Sequence, residues 1–214
     1  MTDKTKSKSA FTLAEVLITL VIIGVVAALT IPTAINRIQR EELRSQFKKQ
    51  VSVMSQAIQK MKVDYGDLVY DMDNDTELTF REKFMRYFSV SCSENCLDVT
   101  KYKNFSDYRW GSYEFFAYAF IAQDGVSYFF HKGSPSKLMY VTVDINGLGK
   151  KPNRQGYDVF TFYIQNSKLV PDRVGYPSGA FECSYSKLSN YHGGDGLGCT
   201  SRAIYDKDYF KNLP

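Results

Sequence analysis

Two histidines, one tryptophan and four cysteines are spread through 214 residues, and each scarcity excludes a class of chemistry. His131 and His192 lack a recognisable partner for acid–base or nucleophilic work. No G-x-S-x-G elbow, H-E-x-x-H pair or phosphate-binding loop of the G-x-x-x-x-G-K-[ST] type occurs. Gly194-Asp-Gly-Leu-Gly198 lacks the strand-to-helix setting of a dinucleotide loop. The chain therefore does not read as an enzyme. Cys92 and Cys96 have zinc-like spacing, but Cys183 and Cys199 are separated by 15 residues, too many for the second half of a structural zinc site. Disulfides are the better reading. Four cysteines leave three pairings open, the most local being Cys92 to Cys96 and Cys183 to Cys199.

Charge is missing altogether from Val16 to Asn36, a run of 21 residues. As a helix this run spans roughly 31 Å, close to the hydrocarbon thickness of a bilayer. A cleaved secretory signal usually has an apolar stretch of only about 7–15 residues, so this one is long enough to cross a membrane. Aromatics are scarce in the same part of the chain. All 16 tyrosines, the tryptophan and 13 of the 15 phenylalanines follow residue 63. The formal charge of +4 is unevenly distributed as well: residues 1–10 carry +2, residues 37–63 carry +5, and residues 64–214 sum to −2. A faintly acidic head has no electrostatic footprint for nucleic acid, and no specific nucleic-acid partner is expected.

Glu15 is the acid at the edge of the apolar run. An acid carried toward a bilayer centre costs up to a few kcal/mol and calls for a cationic partner, yet the run contains no Lys or Arg. A cut between Ala10 and Phe11 would create one, a charged α-amine four residues before Glu15. The amine of one chain could then meet Glu15 of a neighbour at the same depth.

The stretch Lys8-Ser-Ala-Phe-Thr-Leu-Ala-Glu15 with the apolar run behind it resembles the leader and N-terminal helix of type IV prepilins and type II secretion pseudopilins. The resemblance implies processing by a prepilin peptidase at Ala10 and Phe11, N-methylation of Phe11, and Glu15 as the assembly residue. It also implies copies of this chain or other pilins as filament partners, with an inner-membrane assembly platform. Gly24 and Pro32 fall where such helices are weakened, since glycine is costly in a helix and proline removes a backbone bond. Ala10 in place of the usual Gly, and Ala14 in place of a larger apolar residue, depart from the family pattern. Counting Lys and Arg alone puts the C-terminal side in the cytoplasm. The cysteines and the resemblance place it outside, giving a single-pass protein of the bacterial cytoplasmic membrane with its leader inside and its head outside, destined for an extracytoplasmic filament.

Beyond Pro32, Leu43, Phe47, Val51, Met54, Ile58 and Met61 recur at helical spacing. They predict an amphipathic helix to about Lys62, stopped by Tyr65-Gly66, with Arg40, Arg44, Lys48, Gln56 and Lys60 on a solvated face. Residues 78–89 read as a short helix with Leu78, Phe84, Met85 and Phe88 on its apolar side. Segments 115–122 and 126–131 flank Asp124-Gly125, a two-residue hairpin signal. Segments 138–145 and 157–165 alternate with period two. The expected fold is α+β: a long N-terminal helix, transmembrane in its first half and amphipathic in its second, packed on an antiparallel sheet in the pilin manner. The expected divisions are leader 1–10, transmembrane and assembly helix 11–36, amphipathic helix 37–63, and head 64–214. The 183–199 stretch resembles the C-terminal disulfide loop of many pilins.

Two acidic stretches bear on cofactors, and none is expected apart from a calcium candidate. Asp71, Asp73, Asp75 and Glu82 occupy the first, third, fifth and twelfth positions of an EF-hand pattern, but Thr76 stands where that loop requires Gly. The plainer reading is an acidic turn before a helix. The stretch from Asp144-Ile-Asn-Gly147 to Gly156-Tyr-Asp158 resembles a loop recurrent in pilin-like proteins and reads as turn chemistry. Two other readings of the whole chain stay open: an uncleaved, membrane-anchored binding protein or adhesin, and a secreted enzyme with a long signal peptide.

Overall fold

The structure, a computed structural model, describes residues 12–66, 69–105, 118–133, 137–172, 183 and 196–213. Helix α1 runs Leu13–Tyr65, helix α2 Glu77–Met85 and helix α3 Cys199–Tyr205. Six strands lie between α2 and α3: β1 (Val90–Cys92), β2 (Tyr118–Ala122), β3 (Ser127–Lys132), β4 (Met139–Asp144), β5 (Val159–Gln165) and β6 (Lys168–Pro171). They form one antiparallel sheet in chain order. The architecture is the α+β, pilin-like one expected from the sequence pattern.

The chain divides into two compact units, residues 1–40 and 41–214. In the first, α1 exposes large apolar side chains such as Leu17, Ile22, Val25 and Leu29. It is the one described helix long and apolar enough to cross a membrane. The helix runs unbroken through Gly24 and Pro32. Thr19 and Thr30 donate their hydroxyls to the Val16 and Val26 carbonyls, each at 2.9 Å, so these polar groups are satisfied within the helix, as a membrane interior requires.

In the second unit, the rest of α1 buries the heptad-like stripe read from the sequence. Phe47, Met54, Ile58 and Met61 are buried, while Leu43 and Val51 pack at its margin. Phe47 lies 4.5 Å from Phe160 and 5.5 Å from Phe210 between ring centroids. The Tyr128 hydroxyl donates to Gln50 Oε1 at 2.7 Å, which satisfies that buried carbonyl oxygen. The opposing sheet face sets Val141 beside Phe130 and Phe162, and Val143 beside Tyr128 and Phe160. Each such side chain stabilises the fold by about 1.5–3 kcal/mol when fully buried. Gly66, at φ +83°, ends the helix where the sequence placed its stop.

Three local expectations are corrected. Helix α2 is Glu77–Met85, shorter than residues 78–89, and Leu78 is 41% exposed while Phe80 and Phe84 are buried. The Phe80, Phe84, Phe88 spacing of four is what faces the core, and Phe84 and Phe88 stack at 4.9 Å. The β2–β3 hairpin closes through three residues rather than two. Gly125 at φ +85° donates to the Ala122 carbonyl, and the Ala122 N–H returns to Val126, a type I turn followed by a left-handed glycine. Strand β6 and its tight turn were not foreseen: Asn166 and Ser167 both take positive φ, 50° and 53°, as a two-residue primed turn requires.

Candidate functional site: the head of the first helix

Helix α1 begins with a reciprocal cap. Thr12 donates its main-chain N–H (2.8 Å) and its hydroxyl (2.9 Å) to Glu15 Oε2, and the Glu15 N–H donates back to the Thr12 hydroxyl at 3.2 Å. This is a capping box, a Thr at the cap and a Glu three residues on. It also sets a negative charge against the positive end of the helix dipole. Sequence reasoning selected Glu15 and passed over Thr12, although the T-x-x-E spacing signals the motif. Ala10 and Phe11, the expected processing pair, lie outside the described residues. Gly24 sits in mid-helix with nothing within 4 Å of where a Cβ would stand. Among the described residues no neighbour requires a glycine there.

The four cysteines are joined as Cys92–Cys96 and Cys183–Cys199. The second bridge anchors α3 beside β5, where Thr200 Oγ1 accepts the Thr161 N–H at 3.0 Å. A Cβ on Gly156 would meet Cys199 Sγ and the Phe105 ring at 2.7 Å, so the bridge needs that glycine.

The calcium candidate forms a different arrangement. Asp71 Oδ1 accepts the N–H groups of Asp73 and Asn74, Asp75 Oδ1 pairs with Lys83 Nζ at 2.7 Å, and Asp73 pairs with Lys137 Nζ at 2.8 Å. These carboxylates shape a turn and meet lysines, and Glu82 is exposed on α2. Thr76 caps α2 in a box with Thr79. Among the described residues no three His, Cys, Asp or Glu side chains gather as a metal site.

Asp144 and Asp158, at the two ends of the β4–β5 loop, are fully enclosed. Burial pushes Asp144 up to about 6 and, together with the charge of Asp144, pushes Asp158 up to about 7. Tyr102 donates to Asp144 Oδ2 at 2.8 Å, and burial and that carboxylate raise its own ionisation far above the ordinary tyrosine value. His131 lies on β3, where burial lowers its pKa, and His192 falls outside the described residues.

No curated protein and no solved structure matches the chain. Residues 5–31 match the prokaryotic N-terminal methylation motif, a match that contains the Thr12–Glu15 cap and most of the exposed apolar helix. At the head of an α+β, pilin-like architecture, this chain carries the prepilin signature of type IV pilins and pseudopilins.

Proposed function

We propose that this protein is a structural subunit of a type IV pilus-like or type II secretion pseudopilus filament, inserted as a prepilin and cut between Ala10 and Phe11 by prepilin peptidase. One observation carries the reading: an acid, Glu15, stands at the head of a helix whose large side chains are exposed along its apolar run, inside a methylation motif. Apolar surface of this kind needs lipid first and other helices afterwards. The methylated amine of Phe11 neutralises Glu15 of a neighbouring subunit, so two charges enter the apolar core as a pair rather than singly. Gly24 and Pro32 weaken the helix backbone where a filament must extend. Leader 1–10 stays inside, helix 11–36 spans the inner membrane and then lines the filament, helix 37–63 continues into the head, and head 64–214 lies outside. Two disulfides support an oxidising, extracytoplasmic location for that head. The role is structural, with the assembly platform and other pilins as partners.

Intact mass and N-terminal sequencing of the chain from native membranes test this. A chain beginning at N-methylated Phe11 is expected. One beginning at Met1 would favour an uncleaved anchored binding protein, and one lacking the apolar helix would favour a secreted protein.

A further inference from the structure

Helix α2 sets a buried cation against one of the two disulfides. Arg81 is 7% exposed and donates its Nη1 to the Ser93 carbonyl at 3.0 Å. Its Nε is buried without an acceptor, and among the described residues no carboxylate forms an ion pair with it. The acids of its neighbourhood in sequence are engaged or exposed: Asp75 meets Lys83, Glu77 Oε1 accepts the Lys132 N–H, and Glu82 is exposed. A buried charge without a counter-charge is costly, and a single carbonyl dipole offsets it only in part. Ser93 lies inside the small ring that the Cys92–Cys96 bridge closes at the end of β1.

The two bridges differ in access and in surroundings. Cys92 and Cys96 are half-buried at the border of the sheet. Cys183 and Cys199 are buried, with the Tyr209 hydroxyl 3.5 Å from Cys183 Sγ. An arginine serves that second bridge too, since Arg202 Nη1 donates to the Cys183 carbonyl at 3.1 Å, but its side chain is 59% exposed and faces Asp206 at 3.9 Å. Arg81 is the buried one of the two, and it lacks an anion. A sulfur leaving as a thiolate beside it supplies one. Glu94, in the same ring, is exposed, so water and salt screen its charge while Arg81 acts from the buried side. Thiolates are stabilised by a neighbouring arginine in partly exposed sites, and a bridge with a stabilised leaving thiolate opens faster.

We infer that Cys92–Cys96 is a thiol-exchange site, opened and closed by a dithiol oxidoreductase, with Arg81 as the positioning residue that stabilises the leaving thiolate. One thiolate of the dithiol attacks Cys96 Sγ. A new S–S bond forms there, the Cys92–Cys96 bond breaks, and its electron pair leaves on Cys92, the cysteine joined directly to Ser93. The second thiol of the reductant loses its proton and attacks its partner sulfur in the mixed disulfide, releasing Cys96, which takes up a proton. The reductant ends as a disulfide, having passed two electrons to the bridge. The reverse sequence closes it again.

The test uses the intact chain in detergent micelles, with dithiothreitol as the dithiol and near-UV circular dichroism to confirm that the head stays folded. Timed samples are alkylated and mapped by peptide mass spectrometry. Cys92 and Cys96 are expected to take label about tenfold sooner than Cys183 and Cys199. The pH profile of alkylation after opening should place Cys92 below the ordinary cysteine value of about 8.5. Arg81→Gln should abolish that lowering and slow the opening, and Arg81→Lys, which keeps a charge, should restore part of both. If Arg81→Gln does not fold, the pH profile of the parental chain carries the test. Simultaneous opening of the two bridges, earlier opening of Cys183–Cys199, a Cys92 profile no lower than the ordinary value, or parental opening in a folded Arg81→Gln chain would each overturn the assignment.

Discussion

Thr12 and Glu15 close the first turn of α1 on each other, and both Thr12 donors converge on a single oxygen, Glu15 Oε2. The acid assigned to assembly is therefore also the acid that starts the helix, and the two roles need separating by experiment.

Glu15→Gln separates them, because a glutamine still completes a capping box but carries no charge. The variant is expected to insert and to be processed, yet to be absent from sheared filaments. Thr12→Val removes the cap at a cost of about 1 kcal/mol and should reduce incorporation only partly. Filaments containing Glu15→Gln at the parental level would eliminate charge pairing as the assembly mechanism.

Phe47 ties α1 to the sheet through Phe160 and Phe162, and to the short 3-10 turn Tyr209–Asn212 through Phe210. Phe47→Ala should destabilise residues 41–214 by about 3–5 kcal/mol, the range for a buried ring truncated to methyl. Urea unfolding followed by near-UV circular dichroism measures this. A loss under about 1 kcal/mol, the scale of a surface change, would contradict the packing described.

The Cys183–Cys199 bridge closes a separation of 16 residues, for which chain-entropy reasoning gives about 3 kcal/mol of stabilisation. Replacing both cysteines by serine should lower unfolding stability by that order and loosen α3. Thiol titration of unfolded, unreduced mature protein should find no free cysteine; two or four would refute the pairing.

Alkaline stability should depend on Tyr70. Its hydroxyl donates to the Lys137 carbonyl at 2.6 Å, and burial, then the carboxylates of Asp75, Glu77, Asp71 and Asp73, push it up to about 12. The folded state thus holds this proton more tightly than the unfolded chain, whose tyrosine titrates near 10. The stabilisation is complete below about pH 10 and is lost as pH rises toward 12. Tyr70→Phe should flatten that part of the stability profile; an unchanged slope would assign the loss to other tyrosines.

The long helix was legible because it writes two strong patterns in succession: an uncharged run long enough to cross a membrane, then a stripe at steps of three and four. Strands β4 and β5 were legible from alternation, since Val141, Val143, Phe160 and Phe162 face one core, and β2 and β3 from the Asp124-Gly125 turn signal between them. The ends were not. Leu78 looked apolar enough to be buried, but the helix turned Phe80 inward, and a rotation of one helix position cannot be read from composition. Asn166-Ser167 is a turn only because both residues accept positive φ, which few sequences announce. The burial of Asp144 and Asp158 was invisible for a different reason. An aspartate beside glycine and asparagine looks like any surface turn until the segment around Tyr102 is seen to cover it.

The described sheet ends in two weak borders. Strand β1 has three residues, an irregular register against β2 and a disulfide leaving its last residue. Strand β6 has four and finishes on Pro171, which has no N–H to offer. Short, bent or proline-closed borders discourage one sheet from adding to the next. In the proposed filament, borders of this kind would let neighbouring heads press together without pairing strand to strand.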